Sequence, residues 1–122
     1  MVKRVLIVDD SRVSRMMIKA RMQALHPDWE YLEAGSGDEC LTLLDSVVPD
    51  YLTMDMNMPG LNGFDTAEQV AAKAPAVRVV MLTANVQESS HTRAQAMGLK
   101  FVRKPITDAS IKEVLDHFEA AS

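Results

Sequence analysis

A single cysteine, Cys40, stands among the 122 residues, so the chain can form no internal disulfide and is no disulfide-stapled fold. Cys40 falls in a predicted helix, where a small buried or half-buried filler is expected rather than a nucleophile. Positive charge is also short: 13 Lys and Arg against 17 Asp and Glu give a formal net charge of -4 and a pI near 5.3. Proteins that neutralise phosphates usually carry a basic surplus, so direct binding to DNA or RNA is not expected. Long hydrophobic runs are missing as well. The apolar run over residues 5–8 meets Asp9 and Asp10 at once, too short for a signal peptide or membrane span. A cytoplasmic protein with no membrane role is expected. No repeat, low-complexity tract or linker interrupts the chain, and its length suits one domain over 1–122.

What is present is the composition of an ordinary folded domain, 48% hydrophobic and 25% charged. Nine methionines are many for this length. Met16, Met17, Met81 and Met97 fall at apolar positions of predicted elements and read as adaptable core filling.

The continuous apolar run at 5–8 suits a strand buried on both faces. Val13, Met16, Met17, Ala20 and Ala24 then recur at helical spacing, which predicts a buried stripe with Arg12, Arg15 and Lys19 on the solvent side. Residues 29–33 can form a second strand. Ser36 and Glu39 have capping-box spacing and should open a helix that carries Leu41, Leu44 and Val48, stopped by Pro49. Residues 51–54 read as a third strand, followed by a turn-rich loop with Pro59-Gly60 and Asn62-Gly63. Phe64, Ala67, Ala71 and Ala74 line a third helix closed by Pro75. Residues 77–82 make a fourth strand. A weakly amphipathic helix is predicted over 86–97, with Gly98 as its C-terminal cap. Residues 99–102 make a fifth strand, and Ile111, Val114, Leu115 and Phe118 a last helix capped by Thr107. Five strands alternating with five helices predict an α/β domain, a doubly wound parallel sheet with helices on both faces.

Ligands of open α/β sheets bind beyond the carboxyl ends of the strands. Four of the five predicted strands deliver a chemically capable group to that edge: Asp9-Asp10, Asp55, Thr83 and Lys104. Strand two, ending near Glu33, supplies nothing comparable. Three neighbouring carboxylates repel one another, and a bound cation would relieve this. Oxygen ligands without clustered His or Cys favour a hard ion, magnesium above zinc. Lys104 and Thr83 suit a phosphoryl group, and a carboxylate can itself accept one as an acyl phosphate. No histidine is placed as a base, and a loose phosphoryl-transfer transition state hardly needs one. Taken singly, each residue has a plain alternative: an Asp after a strand is commonly a turn former, a Lys before Pro a surface charge, a Thr a helix cap. The order of all four along successive strands outweighs those alternatives.

The segments Val8-Asp9-Asp10-Ser11, the run from Met54 through Asp55, Met56, Asn57, Met58 and Pro59 to Gly63, Leu82-Thr83-Ala84, and Phe101-Val102-Arg103-Lys104-Pro105 together resemble the response-regulator receiver family. The resemblance is similar to the single-domain chemotaxis-type receivers and spans nearly the whole chain. It implies a flavodoxin-like sheet of strand order 2-1-3-4-5 and a phosphorylatable switch of two-component signalling or a phosphorelay. By that resemblance Asp55 is the acceptor of a phosphoryl group from a histidine kinase or phosphotransfer protein. Asp10, Asp55, the backbone carbonyl of Asn57 and, through water, Asp9 would hold Mg2+. Lys104 would pair with the phosphoryl oxygens, the Lys104-Pro105 peptide would be cis, and Thr83 and Phe101 would form the switch. Ala84 would keep the entrance small-sided, while Asn57 and Asn85 would tune hydrolysis of the acyl phosphate. Such a protein is no enzyme in the ordinary sense, although it catalyses its own phosphoryl uptake and slow autodephosphorylation. It would be a monomer or weak dimer that controls a downstream protein through the face of the helix at 86–97, the fifth strand and the last helix.

Two positions depart from the family pattern. Phe101 lacks the hydroxyl some relatives carry, and Thr53 is polar where an aliphatic residue is common, so a buried hydroxyl bonded back to its own strand is expected there. The rival classes are a haloacid-dehalogenase-type phosphatase, a flavodoxin-like cofactor binder and a non-phosphorylated interaction module. The first would need a second Asp where Asn57 stands, and the second a phosphate-welcoming loop where Asp9-Asp10 stand. No linker or helix-turn-helix follows the last predicted helix, as in a stand-alone receiver or a receiver cut from a longer regulator.

Overall fold

The computed structural model describes residues 2–56, 63–83 and 99–119. In chain order these form β1 (Arg4–Val8), α1 (Arg12–Leu25), β2 (Glu30–Ala34), α2 (Gly37–Leu44), β3 (Tyr51–Asp55), α3 (Gly63–Lys73), β4 (Arg78–Thr83), β5 (Lys100–Arg103) and α4 (Asp108–Glu119). The helix predicted over 86–97 and the turn residues of 59–62 lie outside the described residues, as do Met97 and Gly98. Among the described residues no helix is long and apolar enough to cross a membrane.

The five strands are all parallel, in the order β2-β1-β3-β4-β5. The central strands follow from their sequences: all five residues of β3 are buried, as are the last four of β1, so they carry apolar side chains on both faces. On one face Val5, Ile7, Tyr51, Val80 and Leu82 meet α1 and α4. On the other, Leu6, Val8, Leu52, Met54 and Met81 meet Ala67 and Val70 of α3 and Cys40 and Leu44 of α2. Burial pushes the Cys40 thiol up to about 12, so it is the inert filler expected of it.

Local signals hold at two helix starts. Ser36 caps α2 by accepting from the Glu39 N–H at 3.1 Å, and Glu39 in turn accepts from the Gly35 N–H, one residue before the cap. Thr107 caps α4 by accepting from the Ser110 N–H at 3.1 Å. The stripe of α4 is also as predicted: Ile111, Val114, Leu115 and Phe118 are all buried, and the Phe118 ring stacks on Tyr51 at 4.5 Å. Each such side chain contributes about 1.5–3 kcal/mol when fully buried, so α4 is firmly anchored.

Other expectations are corrected. Helix α2 ends at Leu44, and Val48 is 58% exposed rather than part of its stripe. In α3 Gly63, Thr66, Ala67 and Val70 are buried, as is Ala74 just beyond it, whereas Ala71 is exposed; the Phe64 side chain lies outside what the structure describes. Strands β2, β4 and β5 each sit one residue later than expected, so Ala34, Thr83 and Arg103 are their last residues.

The largest correction falls on α1. Its buried residues are Ile18 and Met22, while Val13, Met16 and Met17 are 65%, 58% and 39% exposed, and Ala20 and Ala24 are exposed too. At 3.6 residues per turn the exposed stripe lies roughly 160° round the helix from the buried pair. The helix is apolar on two faces, and periodicity alone chose the longer one. Arg15 points the other way from its predicted place and turns inward, its side chain 17% exposed. Met22, Met54 and Met81 do fill the core, whereas Met16 and Met17 do not.

Thr53 is fully buried beside Ile7 and Val80, and its Oγ1 is the one buried side-chain polar atom among the described residues without a hydrogen-bond partner. The expected bond back to its own strand is absent. An unmade bond at a buried polar group costs about 1–3 kcal/mol. Thr53→Val keeps the shape and removes the hydroxyl, so it is expected to stabilise the domain by about 1 kcal/mol in urea unfolding. A clear loss of stability in that variant would mean that the hydroxyl is satisfied after all.

Candidate functional site

The carboxyl ends of β1, β3, β4 and β5 converge on one edge of the sheet. Asp9 follows β1 and is 1% exposed, Asp55 ends β3 and is 4% exposed, and Asp10 stands exposed beside them. One carboxylate oxygen from each of Asp9, Asp10 and Asp55 lies within 4.8 Å of the others. Thr83, the last residue of β4, is fully buried. Lys104 directly follows β5, and its peptide to Pro105 is cis, as the resemblance implies.

Lys104 closes the site. Its Nζ donates to Asp9 Oδ2 at 3.1 Å and to Asp55 Oδ1 at 3.4 Å, so one ammonium is shared by the two buried carboxylates. Burial works to lower the pKa of this ammonium, but the Asp55 and Asp9 carboxylates outweigh it and raise the pKa. A lysine raised in this way stays charged at neutral pH and keeps its full contribution there; that contribution is lost only when alkaline pH passes its own titration.

Asp9 is held on every side. Its N–H donates to the Ala34 carbonyl at 3.1 Å, and its Oδ1 accepts from the Ser11 N–H at 2.9 Å. Its carbonyl accepts from Arg15 Nη1 at 2.6 Å, and the same guanidinium donates through Nε to Glu33 Oε1 at 3.1 Å. Sequence reasoning missed both partners: Arg15 was assigned to solvent, and the end of strand two was judged empty. A signal was available in retrospect, since an Arg in the first turn of α1 can reach the carboxyl ends of both adjacent strands.

Behind the acceptor the backbone is closely packed. A Cβ placed on Gly63 would lie 2.5 Å from the Asp55 carbonyl oxygen and 2.8 Å from Met56 Cα. Only glycine lets α3 start this near the end of β3. Phe101 is half-buried and packs against the core face that carries Met81. Asn57, Ala84 and Asn85 lie outside the described residues, so the structure brings together Asp9, Asp10, Asp55, Thr83 and Lys104 from the predicted set.

The donor set also fits a hard cation. Three carboxylate oxygens at the carboxyl ends of β1 and β3, with no His or Cys among them, match oxygen-seeking magnesium better than zinc.

A doubly wound parallel sheet of this order, with acidic residues, a hydroxyl and a lysine on its carboxyl edge, defines a flavodoxin-like scaffold with a polar site at the strand ends. Comparison with known proteins makes the class specific: the family model described as "Response regulator receiver domain" matches residues 5–116, and the chain belongs to that family of two-component signalling proteins. The chain is 35% identical over 115 residues to chemotaxis protein CheY of Listeria monocytogenes, covering 93% of this chain and 95% of that one. Among solved structures it is similar to chemotaxis protein CheY4 of Vibrio cholerae, at 25% identity and a TM-score of 0.86, covering 97% and 99% of the two chains. It is also similar to response regulator protein TrrA of Thermotoga maritima in complex with Mg2+–BeF, at 27% identity and a TM-score of 0.82, covering 96% and 99%. The phosphatase and flavodoxin-like cofactor-binder alternatives fall with this assignment.

Proposed function

We propose that this receiver is a phosphorylatable switch that takes a phosphoryl group onto Asp55 from a phosphohistidine of a kinase or phosphotransfer protein. The observation that carries the reading is the shared placement of Asp9, Asp10 and Asp55 at one edge with Lys104 bridging two of them. An Asp55 carboxylate oxygen attacks the phosphorus, the phosphorus–nitrogen bond to the donor imidazole breaks, and that imidazole keeps the electron pair and takes up a proton. The product is an acyl phosphate. Lys104 is near enough to follow the new oxygens, and Thr83, at the end of the neighbouring strand, supplies a hydroxyl toward them. Asp9, Asp10, Asp55 and the Asn57 carbonyl would hold Mg2+, which supplies positive charge against both the carboxylates and the phosphoryl oxygens. Asn57 and Asn85 would set the lifetime of the acyl phosphate.

The output is carried by Thr83 and Phe101. As Thr83 moves toward the phosphoryl group, Phe101 takes up the space, and the face of 86–97, β5 and α4 changes for a downstream protein. Coupling of this kind is typically about 1–3 kcal/mol, enough to redistribute two states.

Docking of the phosphodonor is best supported on α1, through its apolar outward residues. Of the basic residues predicted on its solvent side, Arg15 is held inward and Lys19 lies 4.0 Å from Glu33. The outward surface is Val13, Met16 and Met17, beginning three residues after Asp10. An apolar stripe continuous with the acceptor edge suits a protein helix that presents a phosphohistidine. Replacing Met16 and Met17 together by Glu is expected to slow transfer from the cognate kinase at least about tenfold, the size of a lost interface anchor. Uptake from a small phosphodonor should not change. Equal slowing from both donors would place the damage in the site rather than the interface.

The reading as a whole is tested by incubating the protein with a small phosphodonor, with and without Mg2+, and measuring intact mass. One added phosphoryl group, dependent on Mg2+, is expected. No mass gain under either condition would overturn it.

A further inference from the structure

We infer that Arg15 is a positioning residue for the acidic site, a brace that fixes the Asp9 peptide and through it the geometry of the Asp9-Asp10 pair toward a divalent cation. The inference rests on the metal-assisted phosphoreceiver reading above and deepens it.

The guanidinium occupies a place where a surface cation has no reason to be. Its side chain is 17% exposed, and it uses two different nitrogens on two different elements: Nη1 to the Asp9 carbonyl at 2.6 Å and Nε to Glu33 Oε1 at 3.1 Å. The first bond grips main chain at the turn between β1 and α1. The second ties that turn to the carboxyl end of β2, whose Glu33 pairs in register with Ile7 of β1. The planar fork of arginine makes both bonds at once, which the single ammonium of lysine cannot do in the same geometry.

The brace acts on the site rather than on the sheet, because of where Asp9 sits. Asp9 Oδ1 is spent on the Ser11 N–H, the N-cap residue of α1, and Oδ2 on Lys104. The peptide that carries the Asp9 carbonyl also carries the Asp10 N–H, so gripping that oxygen sets the plane from which the exposed Asp10 side chain leaves. Among the described residues no hydrogen bond or ion pair holds the Asp10 side chain toward Asp55. Groups that hold a metal ligand from behind commonly change metal affinity about tenfold or more when removed.

Charge alone predicts the opposite sign. A cation near three carboxylates repels Mg2+, so deleting Arg15 as a charge should tighten binding. As a brace, its deletion should loosen binding. The two roles are therefore separable in one titration.

The experiment is calorimetric titration of the full chain with Mg2+ alone, at fixed ionic strength, for wild type, Arg15→Met, Arg15→Lys and the charge control Lys19→Met. Arg15→Met is expected to weaken Mg2+ binding about tenfold, and Arg15→Lys, which keeps the charge, to weaken it severalfold. Lys19→Met should match wild type. Proton exchange of the Ser11 amide should also quicken in both Arg15 variants, because the Asp9 carboxylate that accepts it loses its fixed orientation. A lowered melting temperature without weaker Mg2+ binding would mark Arg15 as structural only and overturn the inference, as would tighter binding in Arg15→Met. If Arg15→Met does not fold, Arg15→Lys decides: wild-type affinity and wild-type Ser11 exchange in it overturn the brace. Failure of wild type itself to bind Mg2+ would instead overturn the metal-assisted reading, so the two failures are distinguishable.

Discussion

Asp55→Asn is expected to abolish stable phosphorylation while leaving the fold in place. The carboxamide has nearly the shape of the carboxylate and keeps an oxygen that can accept from Lys104, now 3.4 Å from Asp55 Oδ1, so packing at the end of β3 is undisturbed. What it loses is the anionic oxygen that attacks phosphorus. The expected result is a protein with near wild-type melting behaviour and no mass gain with a small phosphodonor and Mg2+. Retention of the wild-type mass gain would remove Asp55 from the role of acceptor.

Lys104→Met is expected to have the largest effect on stability. It leaves the length of the side chain but removes the cation that Asp9 and Asp55 share, and those carboxylates are 1% and 4% exposed. Breaking a buried ion pair from one side costs about 3–5 kcal/mol. Lys104 is itself 20% exposed, so water recovers part of this, and a loss of about 2–3 kcal/mol is the expected outcome in metal-free urea unfolding. Mg2+ should restore a share of that stability in the variant, because a divalent ion can stand in for the lost ammonium against the same carboxylates. Phosphoryl uptake should nevertheless remain slow with Mg2+ present, since the ammonium has no replacement on the phosphoryl oxygens. A variant as stable as wild type without metal would mean that the carboxylates do not depend on Lys104.

Strand and site were legible for the same reason. A parallel sheet buried on both faces shows itself as continuous apolar runs, and its useful residues must follow those runs, so Asp9, Asp55, Thr83 and Lys104 could be placed from position alone. Helix faces were less legible. In α1 the stripe from Val13 to Ala24 has better helical periodicity than Ile18 and Met22, yet the latter pair is what meets Val5 and Ile7. Periodicity reports that a helix has an apolar side, and it cannot rank two such sides when one is left for solvent or a partner. Arg15 is misplaced for a related reason. A charged residue is assigned to water unless its partners are known; here they are the Asp9 carbonyl and Glu33, which the place of Arg15 in the first turn of α1 brings within reach but which periodicity does not show. Thr53 shows the limit from another direction, since the sequence marked it as polar and buried but its missing hydrogen bond is a property of the packed strands.

The most direct test of the central claim is where the phosphoryl group sits. The protein would be phosphorylated with a small phosphodonor and Mg2+, cleaved at acid pH and low temperature, and the modified peptide sequenced by mass spectrometry. The label is expected on Asp55 at the end of β3 and on no other residue. A label on Asp9, Asp10 or the hydroxyl of Ser11 or Thr83, with Asp55 unmodified, would contradict the account.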